Sequence, residues 1–322
     1  MKKMTIRFAA SLLTIFMTVQ SVSAAELLIP VGQVVGLELG EDRVTIAGFD
    51  SRIGQAAQTA GLREGDRILT IDDVPIHTSE DVKLALQRSD GEVDMVIARG
   101  KLTKEVEMEP MITEDGPKLG LYLRQGITGV GTVTYYDPDT RCFGALGHGV
   151  NGKDGELAEM TQGFAYAASV EAVKKGKSGD PGQLIGALTS KMPIATLSKN
   201  TLQGVFGMAD VPFRGDPLPT ADVSDIQVGP AMIRSTIENG TVQEYSVEIM
   251  KIYPHSSTDG RNMLLKVTDP RLLDTTGGIV QGMSGSPIIQ DGKLIGAVTH
   301  VLVNSPDTGY GIFIENMLDA AT

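Results

Sequence analysis

The sequence predicts a mainly β protein built as two domains. Glycine is frequent, at 38 of 322 residues, while helix-forming runs are few. From residue 119 onward, runs rich in β-branched residues follow one another with glycine and proline between them. The length of 322 residues also exceeds what one core usually serves. With 28 basic against 40 acidic residues, net −12, the chain has no electrostatic footprint for nucleic acid, and that class is set aside. One cysteine, Cys142, excludes an intrachain disulfide framework. There is no HExxH helix and no cysteine pair, and the 4 histidines lie far apart, so neither metal nor cofactor is expected.

Residues 1–24 read as a signal peptide or signal anchor. Lys2, Lys3 and Arg7 form a basic start, Phe8 to Val19 is mostly apolar, and Val22-Ser23-Ala24 supplies small residues for cleavage after Ala24. The bulk of the chain is therefore expected outside the cytoplasm.

Residues 26–110 read as a small α+β unit. Val31–Leu39 and Arg43–Phe49 are expected strands joined by the turn Gly40-Glu41-Asp42. A short Ala-rich helix ends at Gly61, a turn carries Gly65-Asp66, and a strand runs from Arg67 to Ile71. Ser79 to Arg88 reads as a second helix with Ser79 as N-cap, and two more strands follow. The run Ala60-Gly61-Leu62-Arg63-Glu64-Gly65-Asp66-Arg67-Ile68-Leu69 resembles the PDZ domains attached to bacterial extracytoplasmic proteases. That resemblance implies a peptide end added as a strand to a sheet edge, with its carboxylate captured by a glycine-containing loop. The loop is placed at Val35, Gly36 and Leu37, with Glu38 turned away. The bland alternative is a spacer. Residues 111–118, with Asp115-Gly116-Pro117, read as a linker, and residues 119–322 as the second domain.

In that domain Gly129 to Tyr136 and Arg141 to Leu146 form an expected hairpin around Asp137-Pro138-Asp139-Thr140, which delivers His148 to the rim of a sheet. The basic cluster Lys174-Lys175-Gly176-Lys177 is expected in a solvated loop. Tyr245 to Tyr253 is an expected strand, with His255 in the exposed loop after it, and Thr268-Asp269-Pro270 puts a carboxylate at a strand end. The heptapeptide Gln281-Gly282-Met283-Ser284-Gly285-Ser286-Pro287 carries the chemistry. Its glycines permit a sharp path that aims the amides of Gly282 and Ser284 at one point, where an oxyanion would sit, and exposes the Ser284 hydroxyl. A serine needs a base to take its proton. His148, between two glycines, suits the role better than His300, whose strand is read as continuous.

Gly147-His148-Gly149, Thr268-Asp269-Pro270 and the serine heptapeptide, in this order behind an export signal and a PDZ-like unit, resemble the SpoIVB-type serine peptidases of spore-forming bacteria. The sharpest segments are Gly131 to Val150 and Val267 to Tyr310. The resemblance implies a chymotrypsin-like double β-barrel and a triad of His148, Asp269 and Ser284, with Asp274 as the alternative carboxylate. Met283 stands where many such enzymes carry an aspartate that pairs with a newly cut N-terminus, so activation by that ion pair is not expected. The resemblance further implies self-cleavage, then cleavage of a membrane-associated regulator of an intramembrane protease, in the space between the forespore membranes. A late mother-cell sigma factor is processed as the result. Partners are thus protein substrates, the chain itself, and a peptide or protein terminus at the PDZ unit. The reading from another class is a catalytically silent PDZ peptide-binding adaptor.

Overall fold

A computed structural model describes residues 26–322 apart from 90, 153–154, 239 and 255–259. The expected signal at 1–24 and His255 lie outside the described residues.

Two strands of unusual length set the architecture. After β1 (Leu27–Pro30), β2 runs unbroken from Val34 to Phe49. The turn expected at Gly40-Glu41-Asp42 is instead a bulge inside this strand, since its pairing with a later strand steps from Leu39↔Ile127 to Val44↔Gln125. The chain then makes α1 (Gln55–Thr59), β3 (Arg67–Ile71), β4 (Val74–Pro75), α2 (Ser79–Arg88), β5 (Val93–Arg99), β6 (Leu102–Met108) and a small hairpin of β7 (Met111–Thr113) and β8 (Gly116–Lys118). It returns along β2 as β9 (Leu121–Tyr136). The N-cap of α2 is Thr78, one residue before the expected Ser79. Its hydroxyl accepts from the Asp81 amide while the Asp81 carboxylate accepts from the Thr78 amide.

The far half of β2, the near half of β9 and β3 to β6 form the PDZ sheet. Val44, Ile46, Ile68, Ile71, Val82, Leu86, Met95 and Ile97 fill its core. The other halves of β2 and β9 belong to a barrel. With β10 (Cys142–Ala145), β11 (Gln162–Lys174), β12 (Gln183–Thr201) and β13 (Gly204–Ala209), they pair in the ring β2-β9-β10-β13-β12-β11. Residues 34–40, expected within the PDZ unit, thus lie inside this first barrel, and the PDZ unit stands between two of its strands. Val35, Leu37, Leu39, Val133, Phe143 and Leu197 pack in its interior. Where barrel passes to PDZ, Gly126 sits at φ 93°, and a Cβ there would strike the Leu39 carbonyl.

After β14 (Leu218–Pro219), the strands β15 (Gly229–Thr236), β16 (Val242–Ile252), β17 (Met263–Val267), β18 (Pro287–Gln290), β19 (Lys293–Leu302) and β20 (Ser305–Phe313) close a second, six-stranded barrel in the order β15-β16-β17-β20-β19-β18. Helix α3 (Pro270–Thr276) lies between β17 and β18, and α4 (Ile314–Ala321) ends the chain. Val34 and Leu184 of the first barrel join Ile233, Leu265, Ile279 and Val280 in one apolar cluster, so the two barrels share a packed seam. The fold is the mainly β double barrel that the resemblance implied.

Candidate active site

His148 reaches the seam from the first barrel. Strand β10 ends at Ala145, the next residue Leu146 reverses the chain at φ 70°, and His148 follows two residues later. Its Nδ1 lies 2.9 Å from the carbonyl oxygen of Gly149. That bond fixes the tautomer with the proton on Nδ1 and leaves Nε2 as the basic nitrogen. Burial pushes the imidazole below its usual value, with the Gly149 contact opposing in part.

Ser284 arrives from the second barrel on the turn between α3 and β18. The first barrel holds this turn: the Thr132 amide donates to the Ser284 carbonyl at 3.0 Å, and Thr132 Oγ1 donates to the Gly282 carbonyl at 2.8 Å. Strand β12 holds it from another side, where the Leu184 amide donates to the Gln281 carbonyl at 2.8 Å. Along the turn, Met283 donates to Val280, Gly285 to Val298 and Ser286 to Met283. The amides of Gly282 and Ser284 make no hydrogen bond among the described residues, as donors reserved for a ligand would.

His148, Ser284, Gly282 and Gln281 line one cavity of about 430 Å³, whose other walls are Leu37, Leu39, Ile127, Val130, Leu146 and Val150. His300 lines it too. The strand carrying His300 is continuous, as expected, but it holds a bulge: its pairing with β20 steps from Val298↔Gly311 to Val301↔Gly309. His300 lies within this bulge, with its ring 5.2 Å from that of His148, centroid to centroid, at 37°. No sequence signal marks this bulge.

No hydrogen bond joins His148 to Ser284 in this structure. Ser284 Oγ donates instead to the Thr299 carbonyl at 2.7 Å. Nor is Asp269 brought to His148. Its carboxylate caps α3, accepting from the amides of Arg271 at 2.9 Å and Leu272 at 3.4 Å, and takes the Arg271 guanidinium at 2.9 Å and the Ser246 amide at 3.3 Å. The Arg271 bond is the main reason its carboxyl falls to about 2, with the three amides assisting. Asp274, the alternative, is 95% exposed and 3.9 Å from Lys175. Among the described residues no carboxylate is bonded to His148.

Val35, Gly36 and Leu37 do not form a carboxylate loop. They are mid-strand in β2, with β9 on one side and β11 on the other, so no edge is open there. The open edge lies at the near end of β9. Residues 121–125 pair with β2 on one side only, and α2 packs beside their free edge, where the Ser79 amide donates to Gln125 Oε1 at 3.3 Å. A turn at Leu119-Gly120 enters this edge, with Leu119 buried in the PDZ core. The tripeptide Leu119-Gly120-Leu121 before an alternating run was the available signal. It was obscured because it stands after the PDZ helices in the chain.

Two β-barrels that bring a histidine and a glycine-framed serine to a shared seam, beside a PDZ domain, define a PDZ-bearing serine endopeptidase of the double-barrel class. The chain belongs to the SpoIVB peptidase S55 family, whose model matches residues 115–318, and a PDZ domain model matches residues 51–99. A search of curated proteins gave no match. Among solved structures, the inactive form of the Rv3671c protease is 15% identical at a TM-score of 0.35, over 60% of this chain and 82% of that one. The active form of the same protease, from M. tuberculosis, is 15% identical at a TM-score of 0.35, over 61% and 73%.

Proposed function

We propose that the peptidase works with Ser284 as nucleophile, His148 as its base and the amides of Gly282 and Ser284 as the oxyanion hole. The observation that carries this reading is the pair of unbonded amides flanking a serine that shares its cavity with a half-buried, singly oriented imidazole. The Thr299 carbonyl now holds the serine hydroxyl. An extended substrate that gives a backbone N–H to this carbonyl releases Ser284 Oγ, which then donates to His148 Nε2. The proton passes to Nε2 as Oγ adds to the scissile carbonyl, the oxyanion falls between the two amides, and the imidazolium returns the proton to the leaving amine. Because burial favours neutral imidazole, the acid limb of kcat/KM is expected to have its midpoint below the usual histidine value near 6.5.

The finer reading is that the enzyme is exported and acts in sporulation signalling, cutting itself and then a membrane-associated regulator of an intramembrane protease. The basic and apolar N-terminus and the family support it. Intact mass of the exported protein, beside a Ser284→Ala variant, tests this. A shortened product from the wild type alone, at a rate independent of dilution, is expected. If both stay full length while a serine-directed phosphonate still labels the wild type, self-cleavage is lost from the proposal and the catalytic serine is kept. Absence of labelling favours the adaptor reading instead.

At the PDZ unit, the edge at Leu121–Gln125 is expected to take a peptide C-terminus as an added strand, with the turn at Leu119-Gly120 at its carboxylate. Amidating the C-terminus of a bound peptide should weaken it by about tenfold in calorimetry, since a carboxylate accepting backbone N–H bonds contributes on the order of 1.5 kcal/mol or more. Equal affinity of the two forms would point to an internal segment as the ligand.

A further inference from the structure

Pairing across the PDZ sheet sets a row of residues on one face. Ala98 of β5 stands opposite Arg67 of β3, Arg67 opposite Thr45 of β2, and Thr45 opposite Arg124 of β9. Arg43, two residues before Thr45, shares that face, while Val44, Ile46 and Ile68 point to the core behind it. Like charges set so closely on a sheet repel. Arg43 is answered by Glu159, at 2.5 Å. Arg67 and Arg124 are half-buried and make no hydrogen bond or ion pair among the described residues, though the Glu159 carboxylate beside Arg43 also acts on Arg67 through space.

This face is the floor of a cleft, not open surface. Its roof is Asn151, Gly152 and Glu156–Ala158, the segment that follows His148. Glu41 and Glu156 are the carboxylates in its walls. Ile127 and Asn151 border both this cleft and the catalytic cavity, so the two adjoin.

Resting on the reading of Ser284 as nucleophile, we propose that this cleft is a substrate subsite for acidic side chains. A protein substrate lies extended from the scissile bond, fills the apolar wall, and presents Asp or Glu to Arg67 and Arg124. Guanidinium is suited to this task, since it stays charged and meets a carboxylate with two parallel N–H donors.

The test separates binding from chemistry. Peptides spanning a self-cleavage site or a cleaved protein sequence, with an Asp pair moved stepwise away from the scissile bond, are titrated by anisotropy against the full-length Ser284→Ala protein. At one spacing the acidic peptide is expected to bind about tenfold tighter than its Asn counterpart. That preference should fall below about twofold in the Arg67→Gln, Arg124→Gln double variant and in about 0.5 M salt. In the active enzyme the same two changes should raise KM about tenfold and leave kcat within about twofold. Single variants, checked by thermal melting, guard against a folding defect in the double one. A preference that survives the double variant, or equal binding of acidic and Asn peptides at every spacing, overturns the subsite. Acid-dependent binding without cleavage by the wild type keeps the subsite and overturns the catalytic reading.

Discussion

Asp269→Asn is expected to cost about 2 kcal/mol of folding stability at neutral pH and to leave the turnover of folded enzyme almost unchanged. The carboxyl falls from 3.8 to about 2 on folding, nearly two units, and each unit corresponds to about 1.4 kcal/mol. A depressed carboxyl contributes its stability above the unfolded value near 4 and loses it as the pH drops through the folded value near 2. Wild type and variant should therefore differ in urea denaturation at pH 7 and converge toward pH 2. Asparagine keeps a cap acceptor for the Arg271 and Leu272 amides, so the difference reports the charge facing Arg271 rather than the cap. Asp269→Ala adds the loss of the cap, about 1 kcal/mol more. On the chemical side His148 already has its tautomer fixed by the Gly149 carbonyl and its ring against His300. Titrating kcat against the folded fraction checks this. A fall of about 10⁴-fold with the fold intact, the loss that removing an orienting aspartate causes, would mean that Asp269 reaches His148 in the working enzyme.

What the sequence disclosed followed from how local each signal was. The hairpin that delivers His148 is carried by its own turn, Asp137 to Thr140, and the serine turn by its own glycines, so both were legible. Whether strands share one barrel or pass between domains depends on pairing partners far along the chain. Leu39 and Arg43 read as the ends of two strands because Gly40-Glu41-Asp42 has turn composition, and only β9, more than 80 residues later, converts that turn into a bulge. The PDZ edge was misplaced for the same reason, since an unpaired edge is a property of the sheet and not of Val35-Gly36-Leu37. Asp269 illustrates the opposite limit. An aspartate before a proline is as strong a signal for a helix cap as for catalysis, and the Arg271 two residues on was the local sign of the former. The lysines of the cluster at Lys174 to Lys177 are exposed, as read, and the segment also rests against α3, with Lys175 Nζ donating to the Asp274 carbonyl at 2.6 Å and the Gly176 amide to Thr276 at 2.8 Å.

Gly285→Ala is expected to lower kcat/KM by at least about 10³-fold, more than Gly282→Ala, even though Gly282 supplies an oxyanion donor and Gly285 does not. Both glycines have positive φ, 99° at Gly282 and 95° at Gly285, so backbone strain is common to the two. Surroundings separate them. A Cβ on Gly282 would press on the Leu184 side chain, with the Leu184 Cβ nearest at 3.0 Å, a contact that a shift of a few tenths of an ångström relieves. On Gly285 it would run into the Thr132 carbonyl and the Leu146 amide, both backbone of the first barrel. Backbone in a packed barrel does not step aside, and overpacking of this kind costs roughly 1–3 kcal/mol before the strain is added. The turn can relieve it only by withdrawing from the seam. Withdrawal breaks the Gly285 amide bond to Val298, at 2.7 Å, and both Thr132 bonds to Gly282 and Ser284, so hydroxyl, amides and imidazole lose register together. The second barrel keeps its own strand pairing, and the variant should remain folded by circular dichroism, with a lower Tm and no phosphonate labelling at Ser284. Thr132→Val isolates the same clamp more gently: it keeps the backbone bond, removes only the hydroxyl bond to Gly282, and should cost about tenfold. Activity of Gly285→Ala within tenfold of wild type would mean that the serine turn does not need the first barrel to hold its shape. Because Thr132 lies on β9, whose other end is the free edge of the PDZ sheet, that result would also cut the most direct physical path from the PDZ unit to the serine.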